Sequence, residues 1–342
     1  MANVLITRFS ALGDVAIAVP LLKAVAAEYP EDHFFIATQA FMAGLFKETP
    51  DNLMVVPVDL RGTHNGFRGM FKLLRVLRPL HIDKVCDLHA VHRTYLLGFL
   101  LGWKRPVFRV SKERKARRRL TRRQYKVLEP LTPALERYRR VLARAGFVVD
   151  EAAMLRTLPD TRQHMATVQE RFGVKDGLWL GVAPFARHEG KRYPLEMMAV
   201  VVADLAQRPG CRIFLFGRGT EEEAVMKAWK ERYPNLELPV GGDLHDDLQL
   251  MNCLDALLTM DSANMHLGSL ANTKVLSIWG ATHPFAGFAA WNQPASHQLQ
   301  LDLFCRPCSI YGKKPCYRKD LACLNGLEPL RIVHFIESAL TP

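Results

Sequence analysis

Residues 259–284 read TMDSANMHLGSLANTKVLSIWGATHP. An apolar run ends at Met260, Asp261 and Ser262 follow, a helical stretch carries His266 in its second turn, and a second apolar run, 275–279, closes on Gly280. Neither run alternates with polar residues, which is the pattern of strands covered on both faces. Strand, helix and strand in so short a span make a βαβ unit and hence a parallel sheet. Ligands of such sheets sit at the carboxyl ends of the strands, where Asp261 and Ser262 stand. The start of the next helix offers unpaired N–H groups and about half a positive charge. That suits a diphosphate, with the amides near Ser262, Ala263 and Asn264 as the candidates. Asp261 is placed to accept from ligand hydroxyls. His266 either reaches a phosphate or packs in the core.

The same pattern extends outward in both directions. Runs 178–183 and 213–216 precede it as strands, interleaved with helical periods at 195–206, 221–233, 246–253 and 263–271. The first half repeats the scheme, with strands at 4–7, 34–37, 54–58 and 84–87 and helices at 14–29, 66–77 and 92–101. A chain of 342 residues has room for about two domains. The expected fold is therefore α/β, two doubly wound Rossmann-like domains facing a central cleft. The polar stretch 158–164 marks the boundary. This gives domains 1–160 and 161–325, with a last helix over 326–342 expected to pack back toward the N-terminal domain.

The net charge of +12 is concentrated. Residues 104–126 hold twelve Lys/Arg against one acid, Glu113, so the remainder is close to neutral. Within this tract the run 112–126, KERKARRRLTRRQYK, repels itself and calls for an anionic partner. An acidic membrane surface gains about 1 kcal/mol per cation; nucleic acid is the competing partner. Tyr125 is the one aromatic of the run able to stack on a base, and no nucleic-acid motif is present, so no nucleic-acid partner is expected. The longest apolar stretch, 95–103, is well short of the ~18–20 residues of a membrane span. Arg8 and Asp14 interrupt the apolar N-terminus, against a secretory signal. The expectation is a cytoplasmic protein, peripheral at the inner face of the cytoplasmic membrane through 112–126.

Four further stretches carry candidate chemistry. RFSALGDVAIAVP, residues 8–20, follows the first strand and opens the first helix; Gly13 allows a tight turn, and Asp14 is either an N-cap or a proton acceptor at the mouth of the sheet. APFARHEGKRYPLE, residues 183–196, places Lys191 after a strand and Pro194 in the first turn of the next helix. FGRGTEEEA, residues 216–224, puts Glu221, Glu222 and Glu223 at a helix start, either stabilised by its dipole or holding ligand hydroxyls. DLHAVHRTY, residues 87–95, offers Asp87, His89, His92 and Arg93 as ligand contacts or as the polar end of a βα unit.

In this order and spacing the pieces resemble glycosyltransferase family 9, the ADP-heptose:lipopolysaccharide heptosyltransferase family. The resemblance implies a GT-B fold and an inverting, metal-independent transfer of a sugar from a nucleotide-sugar. It makes Asp14 the general base and Lys191 a catalytic cation on the donor phosphates. It places Gly13, Glu222, Asp261, Ser262, Ala263, Asn264 and His266 at the donor, Glu222 on the ribose. Arg93, with Arg117 and Arg118 of the basic run, is the candidate set for the acceptor. The implied donor is ADP-heptose, and the implied acceptor the lipid-linked, anionic inner core of lipopolysaccharide. Another nucleotide-sugar, such as one of N-acetylglucosamine, or a nonenzymatic nucleotide-sugar or membrane-binding module, is the alternative. The chain departs from the family pattern at Phe185 and Ala186, where hydroxyls are common, and at Ala263-Asn264, where Gly-Leu is usual. The first turn lacks G-x-G-x-x-G, which weighs against a dinucleotide oxidoreductase.

Of the seven cysteines, Cys86, Cys211 and Cys253 stand alone beside apolar runs and read as packing residues. Cys305, Cys308, Cys316 and Cys323 cluster, opening with C-x2-C. The set is compatible with a structural zinc, with reduced thiols in a surface loop, or with disulfides, which a cytosolic location disfavours. No cofactor is expected for catalysis.

Overall fold

The computed structural model describes residues 1–102, 105–239 and 241–341, and the chain divides into two compact units. Trp103 of the long apolar stretch, Lys104 of the basic tract and Pro342 of the last helix lie outside the described residues. The N-terminal unit comprises Met1–Lys112, Ala134–Leu158 and Asp243–His245. The C-terminal unit comprises Glu113–Pro133, Pro159–Gly242 and Asp246–Pro342.

The N-terminal unit is a five-stranded parallel sheet of β1 (Asn3–Thr7), β2 (His33–Gln39), β3 (Leu53–Val58), β4 (Lys84–Asp87) and β5 (Val107–Arg109), in the order β3-β2-β1-β4-β5. The C-terminal unit holds β6 (Leu178–Ala183), β7 (Cys211–Leu215), β8 (Leu236–Glu237), β9 (Ala256–Met260), β10 (Val275–Trp279) and β11 (Gln298–Gln300), in the order β11-β10-β9-β6-β7-β8 and also parallel. Both are doubly wound. In each, the order reverses beside the first strand: between β1 and β4 in one, between β6 and β9 in the other. Such a switch point opens a crevice at the carboxyl ends of the strands, because the flanking connections leave to opposite faces.

The central strands β1, β6, β9 and β10 are buried almost end to end, as their unbroken apolar runs require. Three strands absent from the sequence reading, β5, β8 and β11, are two or three residues long and all lie at sheet edges. The last helix is Pro329–Leu340. The sequence reading sends it toward the N-terminal domain, yet its buried residues Ile332, Val333 and Ile336 belong to the C-terminal core. There Arg208 reaches Glu337 at 2.8 Å, and Lys274 donates to the Ala339 carbonyl.

The basic run also falls differently from its sequence reading, which sets it beside the N-terminal domain. Residues 113–133 belong to the C-terminal unit. Arg117 donates to the Tyr311 hydroxyl at 2.5 Å, with its guanidinium 5.5 Å from the Phe288 ring centre. Arg123 lies 4.3 Å over Tyr317. Lys126 donates to the carbonyls of Phe304 and Pro307 at 3.2 and 3.1 Å. Cation–π stacking and carbonyl hydrogen bonds bind this strap to the cysteine-rich segment.

Candidate active site

At the switch point of the N-terminal unit, β1 delivers Arg8 and the helix Leu12–Glu28 delivers Asp14. The helix begins one residue before Gly13, so Gly13 is a buried helical residue rather than the turn expected of it. Asp14 stands in the first turn, with Ala11 at the N-cap, and its Oδ2 accepts from the Ala11 N–H at 3.3 Å. It is therefore not the N-cap itself, but it does satisfy one of the helix's orphan donors. Arg8 forms an ion pair with the same oxygen, and Tyr138 approaches the other at 3.5 Å. Arg8 is anchored in turn: its Nη1 donates to the Leu88 carbonyl at 2.8 Å. A guanidinium only 10% exposed thus holds a carboxylate that is 22% exposed.

The neighbouring β4 ends in a different kind of aspartate. Asp87 is fully buried and accepts from the Thr7 and Thr94 hydroxyls at 3.0 and 2.8 Å and from the N–H groups of His89 and Ala90. Those bonds, with Arg109 at 3.6 Å, consume the carboxylate as a clamp for the βα turn. His89 packs edge-on against Phe9 with ring centres 5.9 Å apart. Burial, then the Arg8 charge, pushes its pKa down to about 4. Arg93 is exposed and reaches Asn65 at 3.5 Å.

In the C-terminal unit, the loop after β6 and the end of β9 meet. Lys191 pairs with Asp261 at 2.8 Å, their side chains 17% and 5% exposed. The Thr282 hydroxyl donates to the same Asp261 oxygen at 2.6 Å. Ser262 occupies the N-cap position of the helix Ala263–Leu270 in extended conformation without a side-chain cap bond, and Ser262, Ala263 and Asn264 are all half-buried. Their amides are the unpaired ones of a helix start, one residue from the ion pair. His266 is buried on this helix.

Close backbone packing sets the loops. The Ala281 N–H donates to the Gly190 carbonyl at 2.7 Å, and a Cβ at Gly280 would stand 2.6 Å from that oxygen. Arg306, unremarked in the sequence, is 4% exposed and donates to the carbonyls of Gly280, at 2.5 Å, and Thr282, at 2.9 Å. It also reaches the Leu301 carbonyl and the Gln300 side chain. A buried guanidinium so saturated fixes the 280–282 loop, and through Thr282 it fixes Asp261 and Lys191.

Glu222 accepts from the Arg218 N–H at 3.0 Å, and Glu223 from the Gly219 N–H at 3.3 Å, so two of the three acids cap the 217–219 turn. Phe185 and Ala186, in place of hydroxyls, are buried core residues; Phe185 lies against Gly217, where a Cβ would come within 2.7 Å of its ring. Arg117 is taken up by Tyr311, whereas Arg118 is exposed. Cys305, Cys308, Cys316 and Cys323 are free thiols, and the Cys323 pKa is pushed up to about 11 by burial. Among the described residues no group of three or more His, Cys, Asp or Glu is placed to hold a metal ion, while Cys305, Cys308 and Cys316 lie near enough to Cys323 to act on its thiol.

A family model described as glycosyltransferase family 9 (heptosyltransferase) matches residues 70–316, well over half of the chain. The chain belongs to glycosyltransferase family 9. Among family relatives, a lipooligosaccharide heptosyltransferase 2 of Campylobacter jejuni serotype O:6 is 25% identical over 169 residues, 48% of this chain and 52% of that protein. One from serotype O:2 is 26% identical over 165 residues, 47% of this chain and 50% of that protein. The chain spans about half the length of the curated relatives it matches. A family 9 glycosyltransferase of Veillonella parvula superposes with TM-score 0.73 at 18% identity, covering 99% of this chain and 97% of that one. Heptosyltransferase WaaC of E. coli, solved with ADP, gives 0.70 at 18% identity, covering 98% and 99%. These likenesses place the fold in the GT-B class.

Proposed function

We propose that this family 9 member transfers a heptose from ADP-heptose to the inner core of lipopolysaccharide, with inversion at the anomeric carbon. The observation that carries it is the Lys191–Asp261 pair beside the amides that open Ala263–Leu270. It offers one ammonium and a set of N–H donors to a diphosphate, the part of a nucleotide-sugar that leaves. Relatives in the family are named lipooligosaccharide heptosyltransferases, and solved structures of the fold carry ADP and an ADP-linked fluoro-heptose.

In this reading the acceptor hydroxyl attacks the anomeric carbon. Its proton passes to Asp14, the bond from that carbon to the diphosphate oxygen breaks, and the charge left on the diphosphate is met by Lys191 and the amides of 262–264. General-base help is worth ~10²–10⁴-fold, and stabilisation of the departing charge commonly more. Lys191 and the helix start provide the charge compensation from the chain itself. Asp261 positions Lys191, and Glu222 lies at the neighbouring turn for the ribose. Arg93 and Arg118, both exposed, serve the acidic acceptor. The protein works at the cytoplasmic face of the membrane that carries this acceptor; no helix among the described residues is long and apolar enough to cross one.

The test is a thermal-shift panel of ADP-, UDP-, GDP- and CMP-linked sugars, followed by transfer to heptose-free inner-core lipid. The reading predicts a rise in melting point with ADP-linked sugar and heptosylated lipid as product. A rise with a different nucleotide alone would displace the donor assignment.

A further inference from the structure

Helix Gly66–Leu77 of the N-terminal unit reads GFRGMFKLLRVL and contains no acid. Its inner face, Met70, Leu73, Leu74 and Leu77, is buried in the core. Its outer face is not polar in the ordinary way. Phe67 and Phe71 are 63% and 40% exposed, their rings edge to face at 5.0 Å, and they alternate with exposed Arg68, Lys72 and Arg75. The helix His92–Leu100 shares the same core through Leu97 and presents Phe99, 70% exposed, and Tyr95, half exposed. The Arg109 guanidinium lies 4.4 Å over the Tyr95 ring.

Exposed aromatic rings on two helices that cover one core mark a surface that meets something else. The chemistry selects the occupant. The cations, with no acid on their helix, call for an anionic surface; the rings call for an apolar layer just beneath it. A bilayer of anionic lipid supplies both within one helix radius, and a basic face carrying Phe is the make-up of helices that lie in that interface. The run 112–126 is a poorer candidate, since Arg117, Arg123 and Lys126 are engaged within the C-terminal unit.

We propose that this helix pair is the face by which the protein lies on an anionic bilayer. Phe67, Phe71 and Phe99 enter the boundary between headgroups and acyl chains, while Arg68, Lys72 and Arg75 meet lipid phosphates. The proposal deepens the functional reading above and rests on its claim that the acceptor is held in a membrane.

Flotation of the full chain with phosphatidylethanolamine vesicles containing phosphatidylglycerol tests it, with phosphatidylcholine vesicles and soluble polyglutamate alongside. The wild type is expected to float with the anionic vesicles, to keep part of that binding in high salt, and to ignore polyglutamate. A variant carrying Phe67→Ser, Phe71→Ser and Phe99→Ser is expected to lose about tenfold or more in vesicle affinity. It should fold normally, because the rings are exposed, and should transfer sugar to a deacylated, soluble acceptor at the wild-type rate. A triple variant that floats like the wild type overturns the proposal, as does preference for polyglutamate, which would mark an acidic protein partner. If the functional reading alone fails, neither protein modifies the soluble acceptor, yet the difference in flotation persists.

Discussion

Each unit places an aspartate and a cation together at the crevice of its sheet, but the two pairs are built in reverse. In the N-terminal unit the anchored member is the cation: Arg8 is 10% exposed and held by the Leu88 carbonyl, while Asp14 is 22% exposed. In the C-terminal unit the anchored member is the carboxylate: Asp261 is 5% exposed and held by Thr282, while Lys191 is 17% exposed. In both, the buried partner aims the more open one. The open group is the one that can meet a ligand, so in the proposed reaction the N-terminal pair would present a carboxylate for proton transfer and the C-terminal pair an ammonium for phosphate.

The largest effect that would break this division comes from the N-terminal pair. Asp14→Asn keeps shape and removes the basic oxygen; transfer should fall by ~10²–10⁴-fold in kcat. Full turnover by that variant in a steady-state assay would remove Asp14 from the chemistry. Lys191→Ala should cost ~10²–10³-fold in kcat/KM, because it strips charge compensation from the leaving group, and unlike the first it should raise the donor KM as well. A kcat loss with unchanged donor KM would restrict Lys191 to the departing charge, and unchanged kcat and KM would move it out of the donor's reach.

A smaller effect sharpens the claim that Asp261 is an aiming group. Thr282→Val removes the hydroxyl donated to Asp261 and should lower kcat/KM by about tenfold, since hydrogen bonds to charged groups are worth ~1.5–3 kcal/mol. The melting point should also fall by a few degrees, because both partners are buried. A variant with unchanged kinetics would show that Asp261 needs no such support.

The smallest expected effect treats the units alike. His89 and His283, one in each unit, have pKa values lowered from 6.5 to about 4, chiefly by burial. Both are neutral in the fold, while the unfolded chain takes up their protons near 6.5. The unfolded state therefore binds more protons between those values, and stability falls as pH drops from about 6.5 toward about 4. Melting curves should shift down by a few degrees between pH 7 and pH 5, and His283→Gln should lessen that shift. A flat profile across this range would contradict the burial of both rings.

The buried centre of the molecule was readable because its signal is long: β1, β6, β9 and β10 are runs of five or six residues, mostly apolar, and each sits where the periodicity puts it. β5, β8 and β11 escaped because two or three residues carry no period, and because the neighbouring strand rather than local propensity makes them extended. The site divided in the same way. Asp261 and Ser262 could be placed by the strand–helix junction that bears them. The meeting of Lys191 with Asp261 could not, since seventy residues of chain separate them and only the β6–β9 pairing brings their loops together. Arg8 stood in view inside the first motif, but a lone cation after a strand gives no hint that it will be buried against Asp14. Arg306 was hidden between two cysteines that drew attention to metal instead. The basic run showed its charge plainly; that aromatic rings and carbonyls of the C-terminal unit would take up part of it is a tertiary fact.

Calorimetric titration of ADP into Asp14→Asn and Lys191→Ala, side by side with the wild type, tests the division of labour most directly. The account predicts an unaltered ADP affinity for Asp14→Asn despite its lost transfer, and an affinity weakened by about tenfold or more for Lys191→Ala. Equal weakening in both variants, or weakening in Asp14→Asn alone, would contradict it.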